Sequence, residues 1–153
     1  MAGYDSKTWY DHLCTARDER PMTELSYGFK KTLSGSVDEI EARVTEALKS
    51  EGFGVLTRID IASTFKKKLD VDFLEYRILG ACNPTLAHTA LGEEPDIGLL
   101  LPCNVVVYES EDAGQVIVSI IDPERQLAIS GRNNIADLAA DVRDRMKRVI
   151  EAI

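Results

Sequence analysis

A chain of 153 residues suits one ordinary domain, and its 44% hydrophobic content excludes an intrinsically disordered protein. The 26 acidic and 18 basic side chains give a formal net charge of −8, which disfavours nucleic acid and anionic membranes as partners. No apolar run reaches the ~20 residues of a membrane helix, and the N-terminus lacks the basic start and apolar run of a secretory signal. We therefore expect a cytoplasmic protein that is not bound to a membrane.

Residues 1–21 differ in composition from the rest of the chain, because they are polar and end in a charged run before Pro21. Trp9 and Leu13 lie four residues apart, a spacing that favours a short helix. We interpret residues 1–21 as an N-terminal extension that is partly helical or flexible. Residues 22–153 are then a single α+β domain.

The domain is expected to begin with a strand and a helix. Apolar and polar residues alternate over residues 25–30, which predicts a half-buried strand. Ser36 followed three residues later by Glu39 is the pattern of a capping box, and it predicts a helix that runs to about Ser50. The predicted strand places on one face the side chains of Leu25, Tyr27 and Phe29.

Two further strands are predicted at residues 55–61 and 74–82 from alternating apolar residues. Ser63 is the expected cap of a single helical turn between them, at residues 64–69. This turn carries the only run of basic residues, which is typical of a solvated turn and alternatively suits an anionic ligand. The run consists of Lys66, Lys67 and Lys68.

Asn83 and Pro84 suit the start of a helix, because asparagine is a good N-cap and proline fits the first turn. Residues 99–108 and 115–121 are apolar and predict two strands joined by a hairpin at residues 112–114. These two strands are expected to be antiparallel neighbours.

The last helix is expected after Asn133 or Asn134, either of which can act as its cap. The element order β-α-β-turn-β-α-β-β-α predicts an antiparallel sheet with helices packed on one face. Residues 105–107 and 116–121 carry apolar side chains on both sheet faces, so the second face needs a cover. A second copy of the chain or the N-terminal extension would provide it, and we expect a homodimer. The apolar stripe of the last helix contains Ile135, Leu138, Val142, Met146, Val149 and Ile153.

The motifs GxGxxG, GxxxxGKS/T, HExxH and GxSxG are absent, so nucleotide-binding, zinc-protease and serine-hydrolase functions lack support. The carboxylates at strand ends follow no spacing that would pair them for general acid–base catalysis. Three cysteines without a CxxC pair favour reduced thiols over a disulfide framework. The sequence leaves open whether the protein is an enzyme, and it indicates no cofactor.

Cys82 is the side chain with the clearest chemical interpretation. It comes directly before the expected Asn83 cap, where unpaired N–H groups and the helix dipole favour an anion. A thiolate there would have a lowered pKa and would suit a nucleophile, a redox thiol or a soft-metal ligand. The alternative is a small apolar residue that packs where a strand meets a helix.

Cys103 shares a predicted strand face with Leu101 and Val105, as a buried structural cysteine would. If the fold brings Cys103 beside Cys82, the two thiols could form a reversible disulfide or bind Cu(I) or Zn(II), the latter with further ligands. His88 is a candidate base or third ligand, with a surface position as the alternative. Cys82 is thus the candidate catalytic residue, Cys82 and Cys103 are the candidate metal ligands, and the candidate ligand-binding residues are Cys82, Asn83, His88 and Cys103.

The sequence has two long blocks, ILGACNP at residues 78–84 and IGLLLPCNVVVY at residues 97–108. Together they resemble the domain-of-unknown-function 302 family, over about residues 27–150. The resemblance implies a fold similar to the TATA-binding-protein-like β-α-β(4)-α fold, a curved antiparallel sheet with helices on one side, and a tendency to form dimers. It implies no reaction, because the family's function is unassigned, and the net charge of −8 argues against carrying DNA binding across. The blocks contain Cys82, Asn83, Pro84, Pro102 and Cys103.

Two functions are consistent with these patterns. The first is a homodimeric module that binds a small ligand or a partner protein, favoured by the two-sided apolar sheet and the missing catalytic constellation. The alternative is a protein for thiol-based redox chemistry, sulfur handling or soft-metal binding that uses Cys82 and Cys103.

Overall fold

The computed structural model describes residues 20–153, so the expected N-terminal helix around Trp9 and Leu13 lies outside the described residues. Six strands form one open antiparallel sheet, which confirms the predicted α+β fold class. The strands are β1 (Thr23–Leu25), β2 (Gly28–Ser34), β3 (Gly54–Asp60), β4 (Tyr76–Cys82), β5 (Cys103–Glu109) and β6 (Gln115–Ile121). The helices are α1 (Val37–Ser50), α2 (Ile61–Leu69), α3 (Pro84–Glu93), α4 (Pro123–Ala128) and α5 (Ala136–Ala152), with 3₁₀ turns at Pro95–Leu100 and Asn133–Ile135.

The sheet has the strand order β1-β2-β6-β5-β4-β3, so β1 and β3 are its edges. Helices α1 and α5 pack on one face, which we call the covered face. Burial of this face drives folding, because each buried aliphatic side chain contributes about 1.5–3 kcal/mol. The core of the covered face includes Leu33, Leu48, Leu79, Val105, Val118 and Met146, each with no exposed surface.

Helix α1 begins as its sequence predicts. The Ser36 hydroxyl oxygen accepts a hydrogen bond from the Glu39 backbone N–H at 3.3 Å, and the Glu39 carboxylate accepts one from the Ser36 N–H at 2.9 Å. The capping box is therefore confirmed, and it satisfies donors that a helix end otherwise leaves unpaired.

The strand predicted at residues 25–30 is instead a hairpin. Thr23 pairs with Lys30 and Leu25 with Gly28, so the chain reverses between β1 and β2. The prediction that Tyr27 and Phe29 share a face is wrong: Tyr27 is 63% exposed in the turn, whereas Phe29 is 1% exposed in the core. The sequence does not predict this turn, because Ser26-Tyr27 lacks the Gly or Asn of a typical two-residue turn.

The segment after β3 also differs from its prediction. Helix α2 begins at Ile61, and its cap is Asp60, whose carboxylate accepts a hydrogen bond from the Ser63 N–H at 2.9 Å. Ser63 is therefore not the cap, and the helix is longer than one turn. A bulge between Val55 and Thr57 shifts the register of β3 and so breaks the predicted alternation.

Two strands begin later than predicted, whereas β6 matches its predicted residues 115–121. β4 begins at Tyr76 rather than residue 74, and β5 begins at Cys103 because residues 95–100 form a 3₁₀ turn. The hairpin between β5 and β6 is confirmed, with Gly114 at a φ of 76°, where glycine is favoured.

Helix α4 is absent from the prediction, which took Pro123 only as the end of a strand. Proline instead occupies the first turn of α4, and the Asp122 carboxylate caps it by accepting hydrogen bonds from the N–H groups of Glu124 and Arg125. Neither Asn133 nor Asn134 caps the last helix, since a 3₁₀ turn leads into α5. The predicted stripe of α5 is confirmed as buried or half-buried.

An ion-pair network joins α1 to the sheet at its edge. Glu41 accepts hydrogen bonds from Arg58 at 2.6 Å and from Arg77 at 2.5 Å. Arg77 is only 7% exposed and also pairs with Asp38 at 2.6 Å. Burial acts to raise the pKa of Glu41, but the two arginine hydrogen bonds outweigh it and the pKa is lowered. Within residues 20–153, no helix is both long and apolar enough to cross a bilayer.

We expect Glu41→Gln to lower the free energy of unfolding by about 2 kcal/mol at neutral pH, because Arg77 would lose a charged partner in a buried setting. A lowered carboxyl pKa stabilises the fold above the unfolded-state pKa and ceases to do so as pH falls through the folded-state value. The deficit of the variant should therefore shrink in acid. Denaturant titrations at neutral and acidic pH measure it.

Glu46→Gln is the matched control, because Glu46 lies on the same helix and forms an exposed ion pair with Lys49 at 3.5 Å. A Glu41→Gln deficit that equals the control, or that grows in acid, would contradict the stabilising role of this network.

Candidate functional site

The predicted thiol site lies where β4 meets α3. Cys82 is the last residue of β4, and the Asn83 side chain caps α3 by accepting a hydrogen bond from the Leu86 N–H at 3.2 Å. Pro84 follows in the first turn. The predicted helix start is thus confirmed, and its capping acceptor is the Asn83 amide oxygen.

The turn after α1 leaves room for Asn83. Gly52 has a φ of 83°, and a Cβ at this glycine would come within 2.9 Å of the Asn83 Nδ2 atom. A side chain at position 52 would therefore strain the backbone and displace the amide that caps α3.

The β4–β5 register brings Cys82 and Cys103 to the same place. Ala81 pairs directly with Cys103, so Cys82 lies one residue further along the neighbouring strand. Both thiols are free, and both line one small cavity of about 30 Å³. The rest of its lining is almost entirely apolar and includes Phe53, Leu86, Ala90, Leu101, Pro102 and Val142.

The environment of the two thiols is opposite to the one expected for an activated cysteine. Burial raises the pKa of the Cys82 thiol. Burial, together with the neighbouring Cys82, raises the pKa of Cys103 to about 12. The predicted lowering of the Cys82 pKa is therefore wrong, because burial in an apolar cavity disfavours the thiolate.

The other predicted candidates lie apart from this cavity. His88 is exposed on α3 and does not line it. The basic run at residues 66–68 is exposed, and Lys66 pairs with Asp70 at 3.1 Å and with Asp72 at 3.2 Å. Among residues 20–153, no group of three or more His, Cys, Asp or Glu side chains is placed to hold a metal ion.

The opposite side of the sheet, which we call the open face, carries the second set of apolar side chains that residues 105–107 and 116–121 predict. Strand registers place there the side chains that point away from α1 and α5. Lys30 is the only charged residue that the six strands direct to this face. The centre of the open face consists of Lys30, Tyr76, Ile78, Asn104, Val106, Tyr108, Ile117, Ser119 and Ile121.

An aromatic row lies along one end of the open face. The Tyr76 and Tyr108 rings stack with centroids 5.0 Å apart, and Phe73 packs at 6.4 Å from Tyr76. Phe65 of α2 meets Phe73 edge to face at 5.1 Å. Burial is the main reason that the pKa of Tyr76 is raised, so this phenol stays neutral at physiological pH.

A concavity of about 330 Å³ opens beside this row. Its lining residues with polar side chains are Tyr27, Lys30, Tyr76, Asn104, Tyr108 and Ser119. Its apolar lining includes Leu25, Val106 and Ile121. A pocket of this size and mixed lining is at the lower end of the range for small-molecule sites, about 300–1,000 Å³.

We expect Cys82 and Cys103 to react slowly with iodoacetamide in the folded protein. A pKa of about 12 leaves Cys103 with roughly a thousandth of the thiolate of an ordinary cysteine. Peptide mapping by mass spectrometry over a time course measures each rate. The unfolded chain is the control, and a Cys82 that reacts faster folded than unfolded would contradict the raised pKa.

Comparisons with known proteins agree with the geometry. The chain is similar to a crystal structure of an uncharacterized conserved DUF302 protein from Bacillus stearothermophilus, with a TM-score of 0.76, 28% sequence identity, and coverage of 84% of this chain and 98% of that one. No curated protein matches the chain at a significant level. The family model "Domain of unknown function DUF302" matches residues 29–153. The chain therefore belongs to the DUF302 family.

Proposed function

We propose that this protein is a homodimeric binding module whose two copies pair through their open faces. The observation that carries the proposal is the near absence of charge on a six-stranded face, where only Lys30 is ionised. A sheet face that meets water normally carries charged and polar side chains. An uncharged one is typical of a face that another surface covers.

The hydrophobic content of the open face supports the same interpretation. Ile78 pairs with Val106 on neighbouring strands, and Ile117 and Ile121 lie on either side of Ser119, the β6 partner of Val106. Each of these four apolar side chains is only partly buried within the chain. Ile59 extends this patch onto the edge strand and is 46% exposed. Contiguous apolar surface of this kind gains free energy when it leaves water, at about 25 cal/mol per Å².

Charge favours a second copy of the chain as the occupant. The chain carries a net charge of −8, so two copies repel each other over most of their surfaces. The strands of the open face carry no carboxylate there, so two copies can meet without bringing acidic groups together. The excess of acidic residues also disfavours nucleic acid as a partner.

The binding function rests on the concavity beside the tyrosine row, which would lie in the dimer interface. Sites between two protein surfaces are common places for small ligands, because both surfaces exclude water from them. The free thiols of Cys82 and Cys103 are consistent with a reducing compartment, and we place the protein in the cytoplasm.

Thiol chemistry is the second candidate function, favoured by one observation: Cys82 and Cys103 line the same cavity. Their raised pKa values oppose a nucleophilic or fast redox role at neutral pH. A soft metal is the guest that fits better, because a thiophilic cation can displace the protons of two thiols in an apolar cavity.

We expect the wild-type protein to be a dimer of the 17.0 kDa chain, and Val106→Lys to weaken the dimer by about a hundredfold or more. The reason is that a lysine at the centre of the open face would bury an unpaired charge in each copy. Sedimentation equilibrium over a concentration series measures the association constant.

Leu99→Lys is the matched control, because Leu99 is 88% exposed on the 3₁₀ turn away from the sheet. Two results would refute pairing through the open face. One is a wild-type protein that remains monomeric at ~100 μM, because its association would then be weaker than that of typical specific interfaces. The other is a control variant that dissociates as readily as Val106→Lys.

The thiol candidate predicts that one Cu(I) ion binds per chain and that Cys82→Ser or Cys103→Ser abolishes its uptake. Native mass spectrometry under anaerobic conditions, with Cu(I) added as its acetonitrile complex, measures the bound metal. Cys14→Ser is the control variant and should retain uptake. No bound copper in the wild-type protein would reject this function.

A further inference from the structure

We propose that the concavity on the open face binds a small aromatic carboxylate, with the Lys30 ammonium as its counter-charge. This inference rests on the proposed binding function and specifies its ligand class. The concavity measures about 330 Å³, which accommodates a ligand of one or two rings.

The polar groups of the concavity lack partners within the described part of the chain. Within that part, the side chains of Lys30, Asn104 and Ser119 form neither an ion pair nor a side-chain hydrogen bond. The neighbouring lysine behaves differently, because Lys31 points to the covered face and donates a hydrogen bond to the Ile153 carbonyl. Lys30 therefore offers the concavity a positive charge that no described side chain neutralises.

The chemistry of these groups favours an anion with a single charge. Lys30 repels cations, and among the described residues it is the only cation in the lining. A phosphate group is ordinarily held by several cationic or N–H donors, whereas one ammonium with neighbouring hydroxyl and amide donors suits a carboxylate. Tyr76, whose phenol remains protonated, is one such donor.

The apolar part of the concavity favours an aromatic ring on that carboxylate. Tyr76 and Tyr108 supply a stacked pair of rings on one side, and Val106 lies on the sheet between them and Ser119. Aromatic rings gain about 0.5–1.5 kcal/mol from such neighbours beyond their burial. A second copy over the open face would also remove water and thereby strengthen the contact between Lys30 and a carboxylate.

The experiment uses three probes, benzoate, trans-cinnamate and indole-3-carboxylate, each compared with its neutral amide. Titrations of the full-length protein, followed by the tyrosine ring resonances in NMR spectra, give the dissociation constants. We expect at least one carboxylate to bind in the micromolar to low millimolar range, at least about tenfold more tightly than its amide.

Lys30→Gln should weaken binding of that carboxylate about tenfold and change the affinity for the amide much less, since it removes the positive charge and keeps a polar side chain. Asn104→Ala should weaken binding of both forms. Lys31→Gln is the matched control, because its side chain lies on the other face of the same strand and should leave both affinities unchanged.

The inference is overturned if none of the three carboxylates binds, or if each binds as tightly as its amide, or if Lys30→Gln and Lys31→Gln behave alike. Sedimentation of the same samples separates this failure from that of the proposed function. A dimer that binds no probe rejects the ligand class alone, whereas a monomer that binds the carboxylate rejects the pairing alone.

Discussion

The fold depends on one constraint, which is that α1 and α5 cover only one face of the six-stranded sheet. That face holds fully buried side chains such as Leu33, Val105 and Met146, so its hydrophobic free energy is already gained within the chain. The open face has no equivalent cover from the described residues beyond the aromatic contacts of α2. Its low charge is the observation that supports the proposed pairing of two copies.

The elements that sequence analysis located correctly are those with local chemical signals. Ser36 and Glu39 define the start of α1, and Asn83 defines the start of α3, because a cap uses atoms only a few residues apart. Gly114 marks the β5–β6 hairpin in the same way. The apolar stripe of α5 could also be predicted, since helical periodicity is a property of the segment itself.

The remaining features depend on pairing between distant segments. The approach of Cys82 to Cys103 follows from the register of β4 and β5, which no local pattern specifies. The raised pKa of Cys82 depends in turn on the apolar cavity that this register creates. Likewise, Lys30 becomes the single charge of the open face only once six strands align and the helices occupy the other side.

The most direct test of the account is an isotope-filtered nuclear Overhauser spectrum of a mixture of labelled and unlabelled chains, which reports contacts between copies alone. Pairing through the open face predicts intermolecular cross-peaks from the methyl groups of Ile78, Val106 and Ile117. A spectrum without intermolecular cross-peaks, or with cross-peaks only from residues outside the open face, would contradict it.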